Sequence, residues 1–342
     1  MGEANHPAAV VFGCAGPVLS EAERALFRAA DPLGFILFRR NCETPEQVRR
    51  LVDALRDAVG REAPVLIDQE GGRVTRLKAP TWIEPPAAGR IGALHARYPQ
   101  SALAAAWRHG RLLAALQAPL GIDVDCAPVA DVPVPGAHDV IGDRAFGGDP
   151  ATVAALARAQ AQGLLAGGVL PVVKHLPGHG RAMADSHKEL PRVDAGRAAL
   201  EAQDFKPFRE LRDLPLGMVA HVVLTAVDPD RPASTSPTVI GEVIRGWMGF
   251  DGLLFSDDIG MQALSGTPAE RTLAVLKGGC DVALHCSGRL TEMESVAIVA
   301  PRMTEVAMAR WTRAVACKRP AEPVDPATLL AELEGQLVPG VS

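Results

Sequence analysis

Eight short apolar runs, separated by stretches with helical periodicity, constrain this chain more than any other feature. The runs lie at 10–16, 34–38, 65–68, 122–129, 170–175, 218–224, 253–256 and 282–286. Most are continuous apolar stretches rather than alternating ones, as strands are when both faces of their sheet are covered. Between them, 20–30, 101–118, 150–167, 196–212, 237–247, 268–278 and 291–316 carry apolar residues at helical spacing. The clearest helix follows the second run. Thr44 is placed to cap it, Pro45 suits its first position, and Gln47 would complete a capping box. Val48, Leu51, Val52, Leu55 and Val59 then form one stripe, and Gly60 is a suitable stop. Strands alternating with helices argue for parallel βαβ units. The expectation is an α/β fold, a single-domain (β/α)8 barrel over 1–318, with 319–342 as a peripheral tail. A doubly wound open sheet is the alternative. It is weakened by the lack of a Gly-x-Gly-x-x-Gly turn after the first run.

Two stretches depart from the alternation. Residues 78–100 hold four prolines and read as one long irregular connection after the third strand. The tail carries Pro320, Pro323 and Pro326 and reads as a short peripheral helix with loose ends.

The composition removes several classes of function. With 48% hydrophobic residues among 342, there is material for a large core. The net charge is −5 and no basic stretch could follow a phosphate backbone, so no nucleic-acid partner is expected. No apolar run approaches the roughly 20 residues of a bilayer span. Residues 1–9 lack the basic and apolar regions of a signal peptide. The six cysteines, at 14, 42, 126, 280, 286 and 317, form no Cys-x-x-Cys pair and read as reduced thiols of a cytoplasmic protein. No metal site or cofactor is expected.

The polar residues gather where the apolar runs end. In a barrel that is the C-terminal rim, where active sites lie. The third run ends in Asp68-Gln69-Glu70-Gly71-Gly72-Arg73, with Arg76 beyond; the fourth leads to Asp131 and on to Arg144. The fifth ends in Lys174-His175-Leu176-Pro177-Gly178-His179-Gly180, followed by Asp185-Ser186-His187. The sixth carries His221, and the seventh ends in Ser256-Asp257-Asp258. Any one of these charges could be a structural ion pair or a helix cap. Five strands ending in charges around one rim are harder to explain so. There is no Gly-x-Ser-x-Gly elbow and no P-loop. Carboxylates with His, Lys and Arg remain, a set suited to glycoside hydrolysis: a nucleophile or base, a proton donor, and groups that bind hydroxyls.

The Lys174–Gly180 run resembles the Lys-His-Phe-Pro-Gly-His-Gly signature of glycoside hydrolase family 3. Asp185-Ser186-His187 resembles the Asp-Ser/Thr-His motif of its bacterial β-N-acetylhexosaminidase branch. Asp68-Gln69-Glu70-Gly71-Gly72-Arg73-Val74 and Phe255-Ser256-Asp257-Asp258 resemble that branch too. The likeness spans residues 10 to 290. Leu176 replaces the usual Phe, and Arg181 stands where Asp is common. Neither position is expected to do chemistry.

The resemblance implies a cytoplasmic, monomeric exo-β-N-acetylglucosaminidase of cell-wall recycling. Such an enzyme removes terminal, non-reducing β-1,4-linked N-acetylglucosamine from anhydro-muropeptides with retention. On this reading Asp257 is the nucleophile and His187 the general acid/base, with Asp185 orienting its ring. Asp68, Arg76, Arg144, Lys174 and His175 bind substrate. Asp258 is read as structural, since successive strand side chains alternate. His179 and His221 stay open between bracing and function. The loop after Lys174 holds little apolar bulk and is expected to move between open and closed positions. A β-glucosidase, a glycoside phosphorylase and a non-catalytic sugar-binding protein remain as alternatives.

Overall fold

The computed structural model describes residues 6–186 and 189–338. Eight strands close into a parallel barrel. They are β1 (Ala8–Gly13), β2 (Pro32–Leu37), β3 (Val65–Ile67), β4 (Val124–Asp125), β5 (Leu170–Leu176), β6 (Leu216–Val219), β7 (Leu253–Asp258) and β8 (Val282–His285). Each pairs with the next in sequence, and β8 pairs with β1.

The alternation of strand side chains divides the core into two shells. Val11, Leu66, Val124, Leu170, Val172, Leu216, Met218, Leu253, Phe255, Val282 and Leu284 pack inside the barrel. Their neighbours Val10, Phe12, Val65, Ile67, Val173, Leu254 and Ala283 pack outward, against the helices. Carried one step further, the inward series of β3, β5, β7 and β8 reaches Asp68, Lys174, Asp257 and Cys286. The period-2 pattern that fills the barrel with apolar side chains thus delivers charged ones to its mouth.

Helix Pro45–Val59 begins as the sequence predicts: the Thr44 hydroxyl accepts from the Gln47 N–H at 3.2 Å, and Gly60 closes it in the left-handed region at φ 66°. The reciprocal bond differs. Gln47 Oε1 accepts from the Glu43 N–H at 2.9 Å rather than from Thr44, and its amide donates to Pro17 and Asn41 carbonyls.

Four further expectations need correction. The fourth strand, expected over 122–129, pairs regularly only at Val124–Asp125. Pro128 lacks the N–H that a ladder needs, and beyond it only Val129 bridges to Lys174. The sixth ends at Val219; Val223–Leu224 instead pairs with Arg192–Val193 in a separate two-stranded sheet. Residues 78–100 contain a helix, Ala88–His95, and the start of the next, Pro99–Gln117. The pattern over 291–316 is two helices, Leu290–Val299 and Glu305–Ala316, because Pro301 stops the first and Thr304 caps the second.

In the tail, helix Pro326–Leu337 buries Leu329 and Leu333 and lies against Pro99–Gln117. Arg108 pairs with Glu332 across this contact, and Arg90, on helix Ala88–His95, pairs with Glu334. Among the described residues, no helix is long and apolar enough to cross a membrane.

Candidate active site

A cavity of 330 Å³ opens at the C-terminal mouth of the barrel. Asp68, Glu70 and Arg76 reach it from the end of β3, Arg144 from beyond β4, Lys174 and His175 from β5, and Asp257 and Asp258 from β7. Phe38, Val74, Val140, Ile141, Met218, Met261 and Leu284 give it apolar walls.

One ionic network forms a side of this cavity. Lys174 Nζ donates to Asp68 Oδ1 at 2.8 Å and lies 2.6 Å from Glu70 Oε1. Arg76 donates to Asp68 Oδ2 at 3.0 Å. Arg144 grips Glu70 with two parallel bonds, Nε to Oε2 at 2.8 Å and Nη2 to Oε1 at 2.9 Å, the fork geometry that makes Arg–carboxylate pairs strong. Lys174 and Glu70 are almost fully buried. Burial alone would strip both of charge. The opposite charges around them outweigh it. Burial opposes the Lys174 ammonium, but Asp68 and Glu70 hold its pKa above the usual lysine range. Burial opposes the Glu70 carboxylate, but Arg144 and Lys174 hold it down at about 2. Asp68 likewise sits below the carboxylate range: Lys174 and Arg76 overcome its desolvation. Near neutral pH the network sets three cations against two carboxylates.

A second anchor lies beneath His175. Its Nδ1 is 2.6 Å from Asp131 Oδ2, so Nδ1–H donates to the carboxylate and leaves Nε2 for the cavity that the ring lines. Asp131 is wholly buried and also accepts the His179 backbone N–H at 2.7 Å. Desolvation works against its charge, yet His175 and His179 hold its carboxyl below the usual range. Asp131 thereby ties the ends of the Lys174–Gly180 turn together.

On β7, the Asp258 N–H donates to Asp257 Oδ1 at 2.8 Å. The Asp258 carboxylate accepts from the backbone N–H groups of Gly260 at 2.9 Å and Cys286 at 3.1 Å. Burial raises its pKa against those bonds. His221 Nε2 lies 3.0 Å from the Asp258 carbonyl and must donate to it, while its Nδ1 meets the Ser234 hydroxyl at 2.7 Å. Burial lowers the His221 pKa, which suits a neutral ring held at both nitrogens. His221 braces the strand end that carries the two aspartates.

The structure thus gathers Asp257, Asp68, Arg76, Arg144, Lys174 and His175 around one cavity. Asp185 lies on the loop that follows β5, beside Ser186, which lines the cavity. His187 lies outside the described residues. The loop is better held than expected over 177–182. Gly180 packs against Val132, whose carbonyl oxygen would stand 2.1 Å from any added Cβ. Arg181 pairs with buried Asp204 at 2.7 Å, and Ala182 is buried. Glu70 and Asp131 sit at strand ends in the sequence but carry no assigned role there. A lysine placed in a barrel mouth calls for nearby carboxylates, and that was the available signal. Among the described residues, no group of three or more His, Cys, Asp or Glu side chains could hold a metal ion.

Comparison with known proteins agrees with this geometry. Residues 19–316 match the glycosyl hydrolase family 3 N terminal domain. The chain is 43% identical over 284 residues to a beta-hexosaminidase of Alkalilimnicola ehrlichii, covering 81% of this chain and 80% of that protein. It is 38% identical over 305 residues to a beta-hexosaminidase of Xanthomonas oryzae pv. oryzae, covering 87% and 90%. Among solved structures, NagZ from Neisseria gonorrhoeae in complex with N-trifluoroacetyl-D-glucosamine superposes with a TM-score of 0.87 at 30% identity, covering 97% of this chain and 99% of that one. The single barrel, the charged mouth and these likenesses together make the chain a member of glycosyl hydrolase family 3.

Proposed function

We propose that this protein is a retaining exo-β-N-acetylglucosaminidase that removes terminal, non-reducing β-1,4-linked N-acetylglucosamine from anhydro-muropeptides during cell-wall recycling. The observation that carries the reading is the Asp257 carboxylate at the wall of a cavity of 330 Å³, set among Asp68, Arg76, Arg144, Lys174 and His175. A cavity of that size is at the small end of ligand sites. It suits one terminal sugar and so favours exo action. The charged groups supply donors and acceptors for hydroxyls and an acetamide, and the apolar walls suit the faces of the ring. The names of the beta-hexosaminidase relatives point the same way.

In the proposed reaction Asp257 attacks the anomeric carbon and forms a covalent glycosyl-enzyme. His187 gives a proton to the departing glycosidic oxygen, then takes one from the water that releases the sugar. Asp185 holds the His187 ring and stabilises its charged form. The enzyme acts as a cytoplasmic monomer. Free thiols at all six cysteines, with Cys317 exposed, support a reducing compartment.

The test is incubation with anhydro-muropeptides, with mass spectrometry of the products. Loss of one N-acetylhexosamine is expected. Proton NMR of an aryl β-N-acetylglucosaminide digest should show the β-anomer first; the α-anomer first would rule out the covalent route. A panel of aryl glycosides with and without phosphate separates this reading from β-glucosidase and phosphorylase activity. Failure to turn over any glycoside would leave a sugar-binding protein.

A further inference from the structure

His179 is not accounted for by the reaction above. Its ring is 4% exposed, within the turn that follows β5. Its backbone N–H is fixed on Asp131. Its Nε2 lies 3.2 Å from the hydroxyl of Ser186, seven residues further along the loop. Ser186 is 3% exposed, although its described neighbours Ala184 and Asp185 are half-exposed and Met183 is exposed. It stands between Asp185 and His187 in sequence, and both its side chain and that of His179 line the cavity.

This is an uneven way to hold a loop. Residues 177–182 are pinned by Gly180 against Val132 and by Arg181 against Asp204. Beyond them, the Ser186 hydroxyl on His179 ties the Asp185-Ser186 segment to the barrel mouth, and the Glu189 N–H donates back to the Asp185 carbonyl at 3.0 Å. His179 has its own rigid support, since Asp131 grips both its backbone and the neighbouring His175 ring.

We propose that His179 and Ser186 form a latch that holds the Asp185-Ser186 segment at the barrel mouth, so that His179 is a positioning residue acting through Ser186 on Asp185, the residue assigned above to hold the proton donor. The proposal rests on the acid/base assignment above. The latch works with His179 neutral. Burial pushes the ring down to about 4, against the pull of Asp131, so it stays neutral across the working range. A neutral imidazole exchanges one hydrogen bond with a serine hydroxyl and adds no charge to the loop.

The test compares leaving groups. A dinitrophenyl glycoside needs little protonation as it leaves, while the N-acetylglucosamine disaccharide needs it fully. A proton donor contributes about 10²–10⁴-fold, so a displaced donor should forfeit part of that on the disaccharide alone. For Ser186→Ala we expect kcat/KM on the disaccharide to fall by roughly tenfold more than on the dinitrophenyl glycoside, with the glycosylation step isolated by pre-steady-state kinetics. Ser186→Thr, which keeps the hydroxyl, should restore most of the difference. His179→Gln should show the same discrimination as Ser186→Ala, and thermal unfolding confirms that each variant is folded. Equal losses on both substrates, or none on either, would overturn the latch. His187→Ala is the control. If it discriminates and Ser186→Ala does not, the latch is wrong and the acid/base assignment stands. If His187→Ala itself fails to discriminate, the assignment is wrong and the latch falls with it.

Discussion

At the scale of single residues, the barrel's alternation separates two adjacent aspartates. Asp257 continues the inward series of Leu253 and Phe255, while Asp258 spends its carboxylate on the backbone of Gly260 and Cys286. Asp257→Asn should therefore lose nearly all activity while the protein stays folded. A 2-fluoro sugar should label Asp257 in the unaltered enzyme, and a label on Asp258 would show that the strand end is read in the wrong register. Glu70 is a different case. It touches three charge-assisted donors and lies beside the cavity without being needed for any bond change. Glu70→Gln keeps the shape but removes the charge that holds Lys174 and Arg144, and disturbing a charged hydrogen-bond network of this kind costs about 1–3 kcal/mol. We expect KM for an aryl glycoside to rise about tenfold or more, with a smaller change in kcat, because the binding side chains lose their support. A drop confined to kcat would contradict that role. That the residues proposed to bind substrate meet at the barrel mouth was legible in the sequence, because they fall at strand ends in recognisable motifs. Their supports were not. A carboxylate after an apolar strand reads equally well as a helix cap, and only the fold brings Glu70 within 3 Å of Arg144, 74 residues away.

At the scale of elements, the helices were legible where their stripes and caps agree, as over Pro45–Val59, and illegible where a proline or a short turn divides one pattern. Pro301 cut a single periodic run in two, and the run over 122–129, which carries Asp123, Asp125 and Pro128, pairs regularly over only two residues. Glycines are the other blind spot. Helices Pro99–Gln117 and Pro150–Ala166 cross so closely that a Cβ on Gly163 would meet the Trp107 carbonyl oxygen at 2.1 Å, and one on Gly110 the Gln160 carbonyl oxygen at 2.1 Å. Helix propensity alone favours alanine over glycine by about 1 kcal/mol. Here the contact decides the sign, because backbone atoms of a packed helix cannot step aside as a side chain can. Gly163→Ala should destabilise the protein by about 1–3 kcal/mol, the usual cost of overpacking. Gly335, in the peripheral helix, has nothing within 4 Å of its would-be Cβ. Gly335→Ala should be neutral or stabilising by up to about 1 kcal/mol. Urea denaturation of the pair checks the argument; a stabilised Gly163→Ala would show that the helices separate without penalty.

At the scale of the whole molecule, closing the barrel places carboxylates with opposite pH behaviour close together. Asp125, at the end of β4, is fully buried beneath the ionic network and bonded to Gln117 Nε2 at 2.6 Å and the Gln69 N–H at 3.1 Å. Burial outweighs those bonds and pushes its pKa up to about 8. Glu70 lies at about 2, with Arg144 and Lys174 prevailing over its desolvation. The consequences for stability have opposite signs. An unfolded carboxyl titrates near 4 (about 3.9 for Asp and 4.3 for Glu). Between that value and about 8, folded Asp125 holds a proton that the unfolded chain has released, so its contribution to stability falls as pH rises through this window. For Glu70 the unfolded chain binds the extra proton, so its contribution is present above about 4 and is lost as pH falls towards 2. Asp125→Asn should therefore gain on the wild type as pH rises from 5 to 8, by an amount on the order of 1 kcal/mol or more, since a tenfold difference in proton affinity is worth about 1.4 kcal/mol. Glu70→Gln should close part of its deficit as pH falls from 5 to 3, because the charge it lacks is then being lost from the wild type as well. Denaturant titrations at four pH values measure both. Parallel curves for Asp125→Asn and wild type would mean that Asp125 stays ionised in the fold, held by Gln117, the Gln69 N–H and the nearby Lys174 ammonium more strongly than burial opposes it.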